Sequence, residues 1–221
     1  MDAILQQFLN FEIMQKVWPL LLRGFGTTLF LCVLVIPLGL IGGLGVALLS
    51  TSRWRVVRWP TVALIDFFRA IPPLVFLVLL YSGLPFAGVK LTPLQAVCLG
   101  LMLNTSSYYG EIYRAGIESV GKGQWEAARA TGLSNGQTLS FVVLPQAIRN
   151  VLPDLVSNTI EVVKLTSIAS VVSFPELLYS ADMARSLTFN SSPVVLAAAM
   201  YLALLWPLVR LVSRLERRVA G

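Results

Sequence analysis

Five polar residues at helical spacing interrupt the largely apolar stretch Val151 to Pro175: Asp154, Ser157, Asn158, Glu161 and Lys164. At 3.6 residues per turn they fall within an arc of roughly 120°, so one helix face carries carboxylates, an ammonium and neutral hydrogen-bonding groups. Such a face has two uses. It can hold the opposite charges of a small polar solute, or Glu161 and Lys164 can neutralise each other as an ordinary i, i+3 pair. Inside a bilayer either charge alone costs roughly 2.5 to 3.5 kcal/mol, so the face should meet a partner helix or a wet cavity rather than lipid. A second polar point, Asp66 and Arg69, lies just ahead of Pro72-Pro73. Two prolines there should break the helix and leave carbonyls without donors.

The segment SVGKGQWEAARATGLSNGQTLSFVVLPQAIRNVLP, from Ser119 to Pro153, reads as helix, glycine stop, helix. Gln124 to Thr131 is alanine-rich and favours a helix, and Gly132 stands where a left-handed cap would end it. Ser134 with Gln137 three residues on forms a capping-box pattern that starts a second short helix, running to Pro145. Small Ala127, Ala128 and Ala130 around a charged Glu126 suit a helix that enters a groove on another protein. The competing reading is a solvated surface helix on which Glu126 pairs with Arg129.

Other chemistries fall away on residue type. There is no histidine, which excludes an HExxH zinc protease, a Ser-His-Asp triad and His-ligated haem. Cys32 and Cys98 sit in apolar tracts and cannot make a structural zinc site or a disulfide framework. Gly116, Gly121 and Lys122 match GxxxxGK, but Gly123 stands where a phosphate-binding loop needs Ser or Thr, and no strand precedes it. Any ATP must be bound by another chain.

The elements that position these residues follow from composition. Of 221 residues 13% are charged and 56% hydrophobic, against about 25% charged in soluble domains. Four charge-free tracts of spanning length recur, Gly24 to Ser52, Ala70 to Val89, Leu91 to Gly110 and Ser186 to Val209. The first long apolar run reads as a span and not a removable signal peptide. A weakly amphipathic stretch, Ile4 to Trp18, is expected at the interface before it. Counting Val151 to Pro175 as a further crossing puts eleven of the 17 Lys and Arg residues on the inner side and four on the outer, which fits the retention of positive charge by cytoplasmic loops. Those basic residues border apolar tracts, so they speak for membrane lipid and against nucleic acid. The expectation is one all-α membrane domain over 1–221 with no internal repeat. Its spans lie near 20–50, 60–84, 91–116, 151–174 and 192–212, and the loop occupies 119–145. Gly39 and Gly43 make a small-xxx-small pair for close helix packing.

Four blocks, FFRAIPPLVFLVLLYSGLP from Phe67, YYGEIYRAGIESVGKGQWEAARATGLS from Tyr108, LPQAIRNVLPDL from Leu144 and KLTSIASVVSFPEL from Lys164, give the chain a family likeness. It resembles the membrane permeases of bacterial ABC importers for polar amino acids and opines, of the histidine, glutamine and arginine type, over roughly residues 20–216. The resemblance implies a type I importer transmembrane domain in the bacterial inner membrane: five helices, a periplasmic N-terminus and a cytoplasmic coupling helix between spans 3 and 4. It implies that Glu126, Ala127, Ala128, Arg129 and Gly132 engage a dimer of ATPase subunits, which bind ATP and magnesium, so that this chain holds no cofactor or metal and has no catalytic residues. It further implies a second permease subunit, either a sister chain or another copy, and a periplasmic amino acid-binding protein.

On that footing Glu161 holds a substrate ammonium, Arg69 or Lys164 holds its carboxylate, and Asn158, Thr166 and Ser167 line the way. Two departures stand out. Leu165 follows Lys164 where the family commonly has Asp, which bears on specificity, and Gly121 replaces a usual Pro before Lys122-Gly123-Gln124. A stand-alone channel or secondary carrier would also place polar residues in spans, but it gives the docking-type loop no purpose. An intramembrane enzyme lacks a nucleophile beside Glu161 and Lys164.

Overall fold

The computed structural model describes residues 2–219, which form helices and no strand among the described residues. In chain order they are α1 (Asp2–Phe8), α2 (Phe11–Ser50), α3 (Arg55–Ala70), α4 (Pro73–Val78), α5 (Pro93–Ser119), α6 (Lys122–Ala130), α7 (Asn135–Thr138), α8 (Leu144–Leu165), α9 (Leu177–Thr188) and α10 (Ser192–Val219). The expected interfacial stretch Ile4 to Trp18 is divided between two elements. Asn10 caps α2 by accepting from the Ile13 N–H at 3.1 Å, and Phe11 to Trp18 are the first turns of that long helix.

Among the described residues three helical runs are long and apolar enough to cross a membrane: Ile4–Ser50, Asn135–Val172 and Ser192–Arg214. A fourth exists if α3 and the run Pro73–Ala87 count together, but these meet at 103°. The stretch expected as one span over 60–84 is therefore two helices, broken where Pro72 and Pro73 lack the N–H groups a continuing helix needs. Over the expected 91–116 span, α5 falls outside the apolar set because a polar run interrupts it. Asn104, Thr105, Ser106 and Ser107 are all buried in it.

The tightest packing joins α2 to α5. A side chain at Gly43 would place its Cβ 2.5 Å from Tyr109 Cβ and 3.0 Å from the Gly110 nitrogen, and one at Gly110 would meet Val46 Cγ1 at 2.5 Å. The Gly39 and Gly43 pair thus does what its spacing predicted: it lets the α5 backbone approach. On its far side α5 meets α8, where Gly116 abuts Val151 and the Tyr109 hydroxyl lies 2.8 Å from Thr159 Oγ1. Leu31, Val35, Leu77, Leu101 and Val162 complete this core.

A second centre closes the α9 end. Glu176 is fully buried and caps α9, its carboxylate accepting from the N–H groups of Leu178 (2.9 Å) and Tyr179 (2.7 Å) and from the Tyr201 hydroxyl of α10 (2.8 Å). The Thr28 hydroxyl of α2 donates to the same carboxylate at 3.5 Å and accepts from the Leu177 N–H at 3.1 Å. One acid therefore ties three helices, and its burial raises its pKa although these donors oppose the shift. At the next turn Phe189 takes a left-handed conformation, φ 50°, and Asn190 donates to the Gln6 carbonyl at 2.8 Å, anchoring α1.

Two outcomes test this packing. Gly43→Leu should force the α2 and α5 backbones apart and cost at least about 3 kcal/mol. The loss should appear as a lower thermal midpoint and fewer monodisperse particles in detergent, whereas Gly45→Ala, with open space around it, should be neutral. Glu176→Ala, which strands four donors, should destabilise by about 2 to 4 kcal/mol and more than Glu176→Gln. Because the folded pKa is raised, the parent protein should gain on the Gln variant as pH falls through that pKa into the ordinary carboxylate range, and lose the gain as pH rises. Midpoints measured across that range check the sign.

Candidate functional site

The first candidate region is α6. It ends as its sequence dictates: the Gly132 N–H donates to the Arg129 carbonyl at 3.0 Å and Gly132 takes φ +90°, a left-handed turn that costs glycine nothing. Ser134 then caps α7 through the full capping box, accepting from the Gln137 N–H at 3.3 Å while Gln137 Oε1 accepts from the Ser134 N–H at 2.9 Å.

The second helix of the loop does not stop at Pro145. It passes through a π turn, Leu139–Val143, and runs on as α8 to Leu165. A proline removes one backbone bond and crowds the carbonyl four residues earlier, and the wider turn absorbs both effects. The loop therefore holds one free-standing helix, α6, and the approach to a spanning one.

Ala128 and half-buried Trp125 turn inward, where Trp125 packs on the cluster of Val120, Val143 and Ala147. Glu126, Ala127, Arg129 and Gly132 are exposed. Glu126 makes no ion pair among the described residues, and Arg129 instead donates to the Leu133 carbonyl at 3.3 Å. The i, i+3 pair that would have made α6 an ordinary solvated helix is not formed. What faces outward is an unpaired carboxylate on an alanine surface.

The second region lies along α8. Glu161 and Lys164 form an ion pair and both are exposed on the single chain. Asp154 is exposed nearby, and Ser157 and Asn158 are half-buried. Glu161 borders two cavities. One, of about 260 Å³, lies against α10 and includes Ser157 and Lys164. The other, of about 230 Å³, lies among α4, α5 and α8 and includes Asn104, Tyr108 and Asn158.

Arg69 is elsewhere. It sits 5.5 Å over the Tyr108 ring and lines a separate 510 Å³ cavity with Asp66, Glu111 and Arg114. Arg114 is taken up by Glu111 and Glu118, and no carboxylate pairs with Arg69 among the described residues. Thr166 is fully buried, its hydroxyl donating to the Val163 carbonyl at 2.7 Å, and Ser167 donates to the Lys164 carbonyl at 2.7 Å. The structure thus brings Asn158, Glu161 and Lys164 together, and sets Arg69 and Thr166 apart from them.

Asn104 escaped the sequence reading. Its amide donates to the Phe68 carbonyl at 2.8 Å. In a continuous helix that carbonyl would accept from residue 72, which is a proline with no N–H. The freed carbonyl expected near the Pro72-Pro73 break is real, and its partner comes from α5. A lone Asn in the apolar tract Leu91 to Gly110, beside a tract with a double proline, was the available signal.

Comparison with known proteins finds relatives over most of the chain. Residues 35–221 match the family described as "Binding-protein-dependent transport system inner membrane component". Two relatives in Bacillus subtilis (strain 168) are each 36% identical. A probable glutamine ABC transporter permease protein, GlnM, aligns over 96% of this chain and 98% of its own length. A probable amino-acid ABC transporter permease protein, YckA, aligns over 88% and 87%. Among solved structures, a crystal structure of an amino acid ABC transporter with histidines superposes with a TM-score of 0.89 at 36% identity, covering 95% of this chain and 99% of that one. An inward-facing methionine ABC transporter, MetNI, shares the fold at a TM-score of 0.75 and 19% identity.

Proposed function

Because the chain belongs to the family of binding-protein-dependent transport system inner membrane components, we propose that it is the non-catalytic permease subunit of an ATP-driven importer for a polar amino acid. In this reading five segments cross the inner membrane, the N-terminus is periplasmic, and α6 lies in the cytoplasm. A periplasmic binding protein delivers the amino acid to a core of two permeases, this chain with a sister chain or a second copy. A dimer of ATPase subunits binds ATP and magnesium and hydrolyses the nucleotide. No bond in the substrate changes, and this chain's work is to open its cavity to one side and then the other.

The observation that carries the reading is α6, an exposed helix with an unpaired carboxylate, seated on the ends of the helices that enclose the cavity at Glu161. A carboxylate in a protein groove is met most strongly by an arginine or lysine of the partner. Glu126 takes that role, Ala127 lets the helix approach closely, Ala128 and Trp125 fasten it to the permease, and Gly132 sets the direction in which the chain leaves. Along α8 the Glu161 carboxylate receives the substrate ammonium and Lys164 the carboxylate, exchanging their mutual pair for two charge-assisted pairs with the zwitterion, while Asn158 and Ser167 lie alongside. Arg69, behind the Tyr108 ring, serves the wider polar cavity through which the amino acid leaves.

Glu126→Lys should weaken ATPase association by about 2 kcal/mol or more and abolish uptake, since it sets like charge against like in the groove. Gly132→Val should act similarly, because a β-branched residue resists the left-handed turn. Pull-down of the ATPase, together with substrate-stimulated hydrolysis in vesicles, measures both effects; unmutated levels in Glu126→Lys would remove α6 as the coupling element. The orientation has its own test. A cytoplasm-active reporter fused after Gly221 should be active and a periplasm-active one silent, and the reverse would place α6 on the wrong side for an ATPase.

A further inference from the structure

We infer that Arg69 and Tyr108 form a gate between the cavity among α4, α5 and α8 and the wider polar cavity beyond it, and that Asp66 receives Arg69 when the gate opens. The assignment rests on the importer reading above and gives its exit path named residues. Among the described residues the two cavities share no lining side chain, yet they follow each other along α5. Asn104 and Tyr108 border the smaller one, and Glu111, Arg114 and Glu118 border the larger. Each of these residues is three or four after the last, which is the spacing of a single helix face.

One contact stands at the junction. Tyr108 is the last α5 residue on the smaller cavity, and the Arg69 guanidinium, from the last turn of α3, sits 5.5 Å from the centre of its ring. A guanidinium so placed is held by the negative face of the ring, more weakly than a carboxylate would hold it. A carboxylate is within the same cavity. Glu111 and Glu118 are taken up by Arg114, but Asp66, one turn before Arg69 on α3, makes no ion pair among the described residues. The junction is therefore closed by a weak bond with an unused carboxylate beside it.

The backbones behind the contact are not free to separate. The Phe68 carbonyl, next to Arg69, accepts from the Asn104 amide at 2.8 Å, and Asn104 is one turn from Tyr108 on α5. With α3 and α5 tied at this level, the passage widens by rotation of the Arg69 side chain. Arg69 is exposed and Tyr108 is 36% exposed, so neither is wedged in the core.

An amino acid that leaves Glu161 brings its own carboxylate to the junction, and this anion competes with the ring for Arg69. Arg69 then turns away from Tyr108. As the amino acid moves on into the larger cavity, Asp66 takes over the guanidinium and keeps the passage open. An ion pair in a wet cavity is loosely held, so Arg69 returns to the ring once the amino acid has gone.

The test reads access to the smaller cavity. Leu165, which lines it, is replaced as Leu165→Cys in a chain carrying Cys32→Ala and Cys98→Ala, and the complex with its ATPase is placed in inside-out vesicles without ATP or amino acid. A membrane-impermeant thiol reagent then approaches from the cytoplasmic face. Arg69→Ala should speed labelling at least about tenfold. Tyr108→Leu should do the same, and the two together no more than either alone, because each removes one side of a single contact. Tyr108→Phe, which keeps the ring face, should label at the parent rate. Asp66→Asn should also label at the parent rate but slow ATP-driven uptake about threefold or more. A parent labelling rate in either Arg69→Ala or Tyr108→Leu, or effects that multiply in the double variant, overturns the gate, and unaltered uptake in Asp66→Asn overturns the part given to that residue. ATP-driven uptake by the parent complex keeps the importer reading in each of these cases, and its absence removes that reading whatever the labelling shows.

Discussion

The contact on which everything else depends is the seam between α2 and α5. Inside a bilayer no hydrophobic gain separates helix–helix contact from helix–lipid contact, so association rests on close packing and on polar groups that find partners. Gly43 and Gly110 let the two backbones meet, and Tyr109 fills the seam with no exposed surface. The Tyr109 hydroxyl then reaches Thr159 and sets the rotation of α8 about its own axis. With Thr159 turned to the core, Glu161 and Lys164 must turn away from it, and Asn158 is left at the edge of the cavity. Where the charged groups of α8 point is thus a consequence of two glycines on α2 and α5.

A second constraint governs the breaks. With no water in the hydrocarbon region, every carbonyl that loses its helical donor needs another. At Pro145 and at Pro85 the chain widens into a π turn ahead of the proline and the helical path continues. At Pro72 it cannot, because Pro73 removes a second N–H in succession, and the path swings through 103°. The Phe68 carbonyl is then served from another helix, by Asn104. Glu176 solves the opposite problem at α9, where a helix start buried among α2 and α10 has N–H groups to satisfy and a carboxylate accepts from two of them.

Features set by neighbours in the chain could be read from the sequence. The stop at Gly132, the capping box at Ser134, the small-residue spacing on α2 and the double-proline break all follow from local stereochemistry. Features set by partners far along the chain could not. Pro145 reads as a helix end, yet a π turn carries the helix past it, and only the packing of Val143 and Ala147 under Trp125 makes that path worth its cost. The tract Leu91 to Gly110 reads as a span from its lack of charge, and nothing local shows that its polar run Asn104 to Ser107 is buried by the helices around it. The helix α9 and the burial of Glu176 were not foreseen, since an acid after a proline carries no sign of the Tyr201 and Thr28 hydroxyls that meet it. The polar stripe on α8 was legible from its period, yet Arg69, grouped with it by charge, lies behind Tyr108 in a different cavity.

How a movement of α6 would reach the cavity follows from where α6 is fastened. Its Trp125 packs on Val120, at the end of α5, and on Val143 and Ala147, at the start of α8. These are the two helices that carry Asn104 and Asn158. A helix is stiff along its axis, and Ala147 is only about 16 Å from Asn158 at 1.5 Å rise per residue. Under the proposed role, a displacement of α6 relative to α2 would therefore act on α5 and α8 together through one small apolar cluster, with no flexible segment between. The Gly116 contact with Val151 and the Asn150 hydrogen bond to Ser119, at 2.8 Å, lock α5 to α8 just above that cluster, so the pair tilts before it slides. The part left to move is the α4 wall: beyond the Pro72 break Pro73 faces the cavity from α4, whereas before the break the Phe68 carbonyl of α3 is held to α5 by the Asn104 amide.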